Sequence, residues 1–216
     1  MKFNLYICSM NKILISITLL FSTLLLSQTK DDVIDFKKIN LKLLDSLVFE
    51  EAMKERKKAN VSRMKHDEVC GESAKYQSEY MSHYSVFSHE NHKIFRNVLL
   101  EKHSDRFNYF LKNKKIKKEY KNKMEILFQY KNVTTINYMG IDKKTYQNYA
   151  EDIIKNFMSS KFHKIALLYD MINYGNMCGE YKTHYNPNTD CLSVTGFFVL
   201  EYKGYSGKDV ISFDNF

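Results

Sequence analysis

The chain has 216 residues, with one proline, seven glycines, four cysteines and a formal net charge of +8. That length holds one domain with a sizeable core and is short for two, and the scarcity of proline and glycine excludes an internal linker. The basic excess sits in a sequence rich in Lys, Asn, Ile, Tyr and Phe throughout, so it does not single out a nucleic-acid-binding protein.

Lys2 and Lys12 precede an uncharged apolar run, residues 13–26, that ends in Ser27-Gln28. This reads as a secretory signal peptide over residues 1–27. The run of about 14 residues is shorter than the roughly 20 needed to span a bilayer, so no stable membrane span is expected. No cysteine follows it to carry a lipid anchor. Met10 is an alternative start, in which case Cys8 is absent from the protein. Removing residues 1–27 takes Lys2 and Lys12 and no acid, leaving a net charge of +6. The expected organisation is residues 28–35 as an N-terminal linker, 36–205 as one domain and 206–216 as a tail, in a secreted, extracellular or periplasmic, monomeric protein.

Residues 41–58 repeat Leu44, Leu47, Val48, Ala52 and Met53 at helical spacing, with Asn60 and Ser62 as breakers. Residues 68–84 repeat the pattern through Cys70, Ala74, Met81 and Tyr84, behind Asp67 as N-cap. Helical stretches are expected at 95–100 and 106–111, followed by the basic run at 112–118. The basic cluster over 112–123 is read as a solvated loop rather than a surface for anionic lipid, glycan or nucleic acid. Residues 125–133 are β-prone. Asp142 or Thr145 caps a helix through Met158, with Ala150, Ile153, Ile154, Phe157 and Met158 as its apolar face. Ser159-Ser160 ends that helix, leaving His163 just past the stop. Residues 171–185 and 191–202 are rich in Tyr, Phe, Val and Thr around the turn formers 186–190, which predicts a C-terminal β-hairpin. Helices before strands, without βαβ interleaving, predict an α+β class with an antiparallel sheet covered by helices. Cys178 and Cys191 flank the turn and can bridge neighbouring strands; Cys70 with either, or three reduced buried thiols, are the alternatives.

Several segments fall in a telling order: a first helix with basic residues in its second half, a short link at 63–67, the helix at 68–84 and Phe87-Ser88-His89-Glu90. Met124-Glu125-Ile126, the run from Phe157 to His163, and Tyr174-Gly175 follow. Together they resemble a CAP domain, the superfamily of cysteine-rich secretory proteins, antigen five and plant pathogenesis-related proteins, above all its short secreted bacterial branch. The resemblance covers roughly residues 35–203. It implies an α-β-α sandwich with an antiparallel sheet between helices. Departures are plain: Met124 and Ile126 stand for the glycine and asparagine of the "GEN" element, Phe157 for a tryptophan, and Phe162 for the glycine before the second histidine. The place of a second site glutamate is taken by Ser159-Ser160-Lys161, and Glu151 lies about two turns upstream of it.

The resemblance implies that His89, His163 and Glu125 line one cleft. Two imidazoles and a carboxylate suit a divalent transition metal, Zn2+ foremost, with the histidines as the main ligands and Glu125 as the lesser one. The main reading is a non-catalytic binding module for a metal, an apolar small molecule or a cell-surface macromolecule. The alternative is a metal-dependent hydrolase in which Glu125 serves an activated water. His66, His83, His92, His103 and His184 lack motifs and are read as surface or packing residues. Ser159 and Ser160 lack the glycines of a nucleophile elbow.

Overall fold

A computed structural model of the chain describes residues 28–36, 38–115, 122–135, 144–170, 172–186, 188 and 191–204. The expected signal peptide, the tail at 206–216 and most of the turn at 186–190 lie outside them. In chain order the elements are α1 (Leu41–Lys58), β1 (Lys65–His66), α2 (Glu68–Tyr84), α3 (His103–Asn113), β2 (Asn122–Thr135), α4 (Tyr146–Ser159), α5 (Lys161–Leu167), β3 (Tyr174–Asn186) and β4 (Cys191–Gly204). The helix starts carry side-chain caps from short polar residues. Asn40 accepts from the Leu43 amide, Asp67 from Cys70, and Thr145 from Asn148.

The sheet order is β1-β3-β4-β2, so the last of the described strands is an inner one. β2, β4 and β3 pair antiparallel, and only the two-residue β1 runs parallel, beside β3. The sheet is thus mixed rather than purely antiparallel. Alternation along the strands sorts side chains to two faces. Ile126, Phe198, Leu200, Tyr202 and Met177 join Leu44, Val48, Ile153 and Phe157 of α1 and α4 in one core. Leu127, Phe197 and Val199 meet Ala74, Tyr80 and Met81 of α2 in another. Phe107 of α3 joins Val69 and Cys70 at the start of α2. The result is an α-β-α arrangement. At Gly175, where β1 joins, an added Cβ would lie 3.0 Å from the Glu201 carbonyl and 3.1 Å from Met64 Sδ, so only glycine lets the strands approach.

Two expectations, the helix at 95–100 and the Cys178 to Cys191 bridge, need correction. Residues 95–100 form no helix: Phe95 and Val98 exchange backbone hydrogen bonds of 3.0 and 3.1 Å around Arg96 and Asn97, both at positive φ. The Tyr76 hydroxyl donates to the carbonyls of both Phe95 and Val98, holding that turn against α2. His163 does lie just past the end of α4, and the chain there enters a further short helix. Ser160 ends α4 and starts α5, which carries His163. Cys178 and Cys191 do not bridge, because Cys178 stands opposite Val199 while Cys191 stands opposite Asn186, eight residues along the ladder or about 25 Å away. Cys178 is a free thiol that donates to the Gly71 carbonyl at 3.3 Å, and Cys70 is free and buried.

Arg56, near the end of α1, is fully buried. Its guanidinium donates to four carbonyls, Ser62 at 2.8 Å, Leu167 at 2.7 Å, Tyr169 at 3.0 Å and Ile172 at 2.9 Å. Leu167 closes α5, so this one cation fixes the end of the helix that carries His163. Replacing Arg56 by Ala strands those carbonyls, and the expected loss is about 3 kcal/mol or more of unfolding free energy in urea titration. A loss under about 1 kcal/mol would show that water serves them as well.

Candidate functional site

In β2 and β4 the apolar runs are each interrupted by one carboxylate, Glu125 and Glu201, and the register sets the two directly opposite one another. Their side chains are 2% and 0% exposed. Two adjacent buried carboxylates require cations or donors within reach. The supply comes from α3, where His103 and Arg106 stand three residues apart and project on one side of the helix. Arg106 Nη2 lies 2.7 Å from Glu125 Oε2, and it also donates to the His89 carbonyl at 3.1 Å. His103 Nε2 lies 3.5 Å from Glu201 Oε2, while the Ser73 hydroxyl of α2 donates to Glu201 Oε1 at 2.7 Å.

The two carboxylates titrate apart. Burial alone would raise Glu125, but the Arg106 guanidinium, the hydrogen bond from His89 and the charges of His103 and His89 bring it down to about 2. Glu201 is raised instead, by burial only partly offset by His103. For His103, burial works against protonation, yet the Glu201 carboxylate outweighs it and holds the imidazole above its ordinary value.

His89 sits in the link after α2, a segment pinned where Gln77 donates to the Ser88 carbonyl at 2.6 Å and where the Asn91 amide donates to the Leu100 carbonyl at 3.1 Å. Its Nδ1 lies 2.8 Å from Glu125 Oε1, on a ring that is 58% exposed. His163 is held edge-on against Phe157, centroids 5.4 Å apart. Burial lowers its pKa, and the nearby charge of His89 lowers it further. The two imidazoles come to β2 from different elements. His89 reaches it from the link after α2, and His163 from α5, which packs on α4 and β2.

The expected three-ligand set is not assembled: among the described residues no group of three or more His, Cys, Asp or Glu side chains is placed to hold a metal ion. Each oxygen of Glu125 has one partner, Oε1 the His89 ring and Oε2 the Arg106 guanidinium. Glu151 faces Gln147, which also donates to Glu51. The Ser159 hydroxyl donates to the Asn156 carbonyl at 2.7 Å, as a residue closing a helix does. His103 is no bystander, contrary to the sequence reading. Arg106, Glu201 and Ser73 carried no motif either; the usable signal was the acid inside the apolar run of β4. Of the basic cluster, Lys114 pairs with Glu68, Lys123 donates to Asn108 at 2.7 Å, and 116–121 lie outside the described residues.

No protein-family model matches the chain, and no curated protein matches it. Among solved structures, an outer surface protein of Borrelia burgdorferi superposes with a TM-score of 0.50 at 15% identity, covering 78% of this chain and 98% of that one. That likeness shows the fold alone. An extracellular protein containing an SCP domain from Bacillus anthracis aligns over 76% of this chain and 42% of its own, with a TM-score of 0.44 and 14% identity. A cysteine-rich secretory protein from Staphylococcus aureus aligns over 76% and 39%, with a TM-score of 0.41 and 14% identity. Those two are too distant to carry residue-level argument. With helices on both faces of the sheet and a hairpin after them, the fold is α+β.

The charge network makes stability depend on pH in two directions. Glu125 is depressed from 4.5, so its contribution is complete above that value and is lost as pH falls toward about 2. His103 is raised from 6.5, so its contribution is present below that value and is lost as pH rises through the raised one. Urea unfolding is expected to show lower stability at pH 3 than at pH 5.5, with a shallower acid limb in Glu125→Gln. Identical limbs in the two proteins would remove Glu125 as the cause.

Proposed function

We propose that the chain is a secreted CAP-like binding module whose ligand is taken at His89 and His163. The observation that carries this reading is the exposed His89 ring held through Nδ1 by the buried Glu125 carboxylate at 2.8 Å, while burial first and the charge of His89 second press His163 toward its neutral form. Neutral imidazole nitrogens with a carboxylate behind one of them suit a divalent transition metal such as Zn2+. His89 and His163 would hold it, and Glu125 would orient His89. The remaining positions are left to water or to a ligand.

Phe87 and Phe162, sequence neighbours of the two histidines, are 48% and 58% exposed. They give the cleft an apolar border that suits an apolar small molecule or a cell-surface macromolecule. The expected leader at 1–27 and the likeness of the fold to an outer surface protein of Borrelia burgdorferi support secretion. Among the described residues no helix is long and apolar enough to cross a membrane. The hydrolase alternative has less support, because a carboxylate near pKa 2 with both oxygens occupied is a poor base at neutral pH.

Zinc titration by calorimetry tests the reading. Wild type is expected to take about one equivalent per chain, and the His89→Ala/His163→Ala protein to bind more than about tenfold more weakly. Equal, substoichiometric zinc in both proteins by elemental analysis would remove the metal reading.

A further inference from the structure

A guanidinium has only donors to offer. Arg106 turns one nitrogen, Nη2, on two acceptors: Glu125 Oε2 at 2.7 Å and the His89 main-chain carbonyl at 3.1 Å. It thereby fixes both the backbone that carries the His89 ring and the carboxylate that touches it. With Glu125 held as an ionised acceptor, the 2.8 Å contact from its other oxygen to His89 Nδ1 permits only one sense of hydrogen bond. The ring must donate.

We propose that Arg106 and Glu125 act as a tautomer-setting pair, placing the proton of neutral His89 on Nδ1 and presenting the Nε2 lone pair to the cleft. Arg106 is a positioning residue: it contacts no ligand and acts through Glu125 and the His89 carbonyl. Its burial and that of Glu125 keep water from substituting for either partner. The consequence for ligands rests on the binding function proposed above, since a bare Nε2 accepts a metal or a donor group and a protonated one does not.

The arrangement makes Glu125→Gln an informative change, because the amide keeps the shape but has one donor end and one acceptor end. Arg106 requires the acceptor, so the Gln carbonyl must face the guanidinium and its NH2 must face His89. Nδ1 then becomes an acceptor and the proton moves to Nε2. Both hydrogen bonds survive while the ligand-facing atom is blocked. A purely structural role for Glu125 predicts no such inversion.

Long-range 1H–15N correlation spectra of the histidine rings, recorded on the metal-free protein at a pH where His89 is neutral, read this directly. Wild type is expected to show Nδ1–H and Glu125→Gln to show Nε2–H, with zinc affinity down about 10–100-fold in the variant. In Arg106→Met/Glu125→Gln no charge is left unpaired and the amide is free to turn, so the pure Nε2–H form is expected to give way to a mixture. Nε2–H in the wild type overturns the proposal, and that spectrum decides the matter without any variant. An unchanged tautomer in Glu125→Gln overturns it as well, and a double variant identical to the single one removes Arg106 from the role. Absence of zinc binding with the expected tautomers would overturn the metal-binding function and leave the tautomer assignment standing.

Discussion

Two carboxylates placed side by side inside a sheet are the demand around which this half of the molecule is arranged. Glu125 and Glu201 are opposite by register, and neither can be left uncompensated away from water. Everything that answers them comes from outside the sheet. α3 lies where His103 and Arg106 each reach one acid, and α2 adds the Ser73 hydroxyl. The link that bears His89 is tied to the same guanidinium through its carbonyl. The position of His89 is thus a consequence of neutralising the sheet as much as of its own loop.

The other histidine depends on a separate anchor. α5 is a short helix whose end is gathered by Arg56 from α1, on the opposite layer. Two buried arginines, one from each helical layer, therefore hold the backbone at His89 and the end of the helix that carries His163.

Much of the frame was legible because its signals are local. The caps Asp67 and Thr145 and the stripe from Ala150 to Phe157 lie within the helices they specify, and the hairpin was announced by composition. Glu125 and His89 were found through their segment order, not through any neighbouring residue. What could not be read was whatever depends on register. Glu201 becomes Glu125's neighbour only when β4 pairs with β2, and the supposed Cys178 to Cys191 bridge fails for the same reason. At 95–100 a phenylalanine and two leucines at helical spacing misled, and the Tyr76 hydroxyl, which fixes the tight turn, lies far away in sequence. His103 had no motif because its partner is an acid on another strand.

The sheet order has a consequence for the way the molecule comes into being. β4, the last strand among the described residues, lies between β3 and β2, so β2 waits some fifty-six residues for its partner. The ties from Arg56 to the carbonyls after α5 span 111 to 116 residues. Contacts of such long separation slow folding, since the chain must close large loops before any stabilisation is gained. No partial chain ending before β4 can form the sheet. Until β4 is available, β2 and β3 have no partner strand between them, and the two helical layers have no common floor to close on.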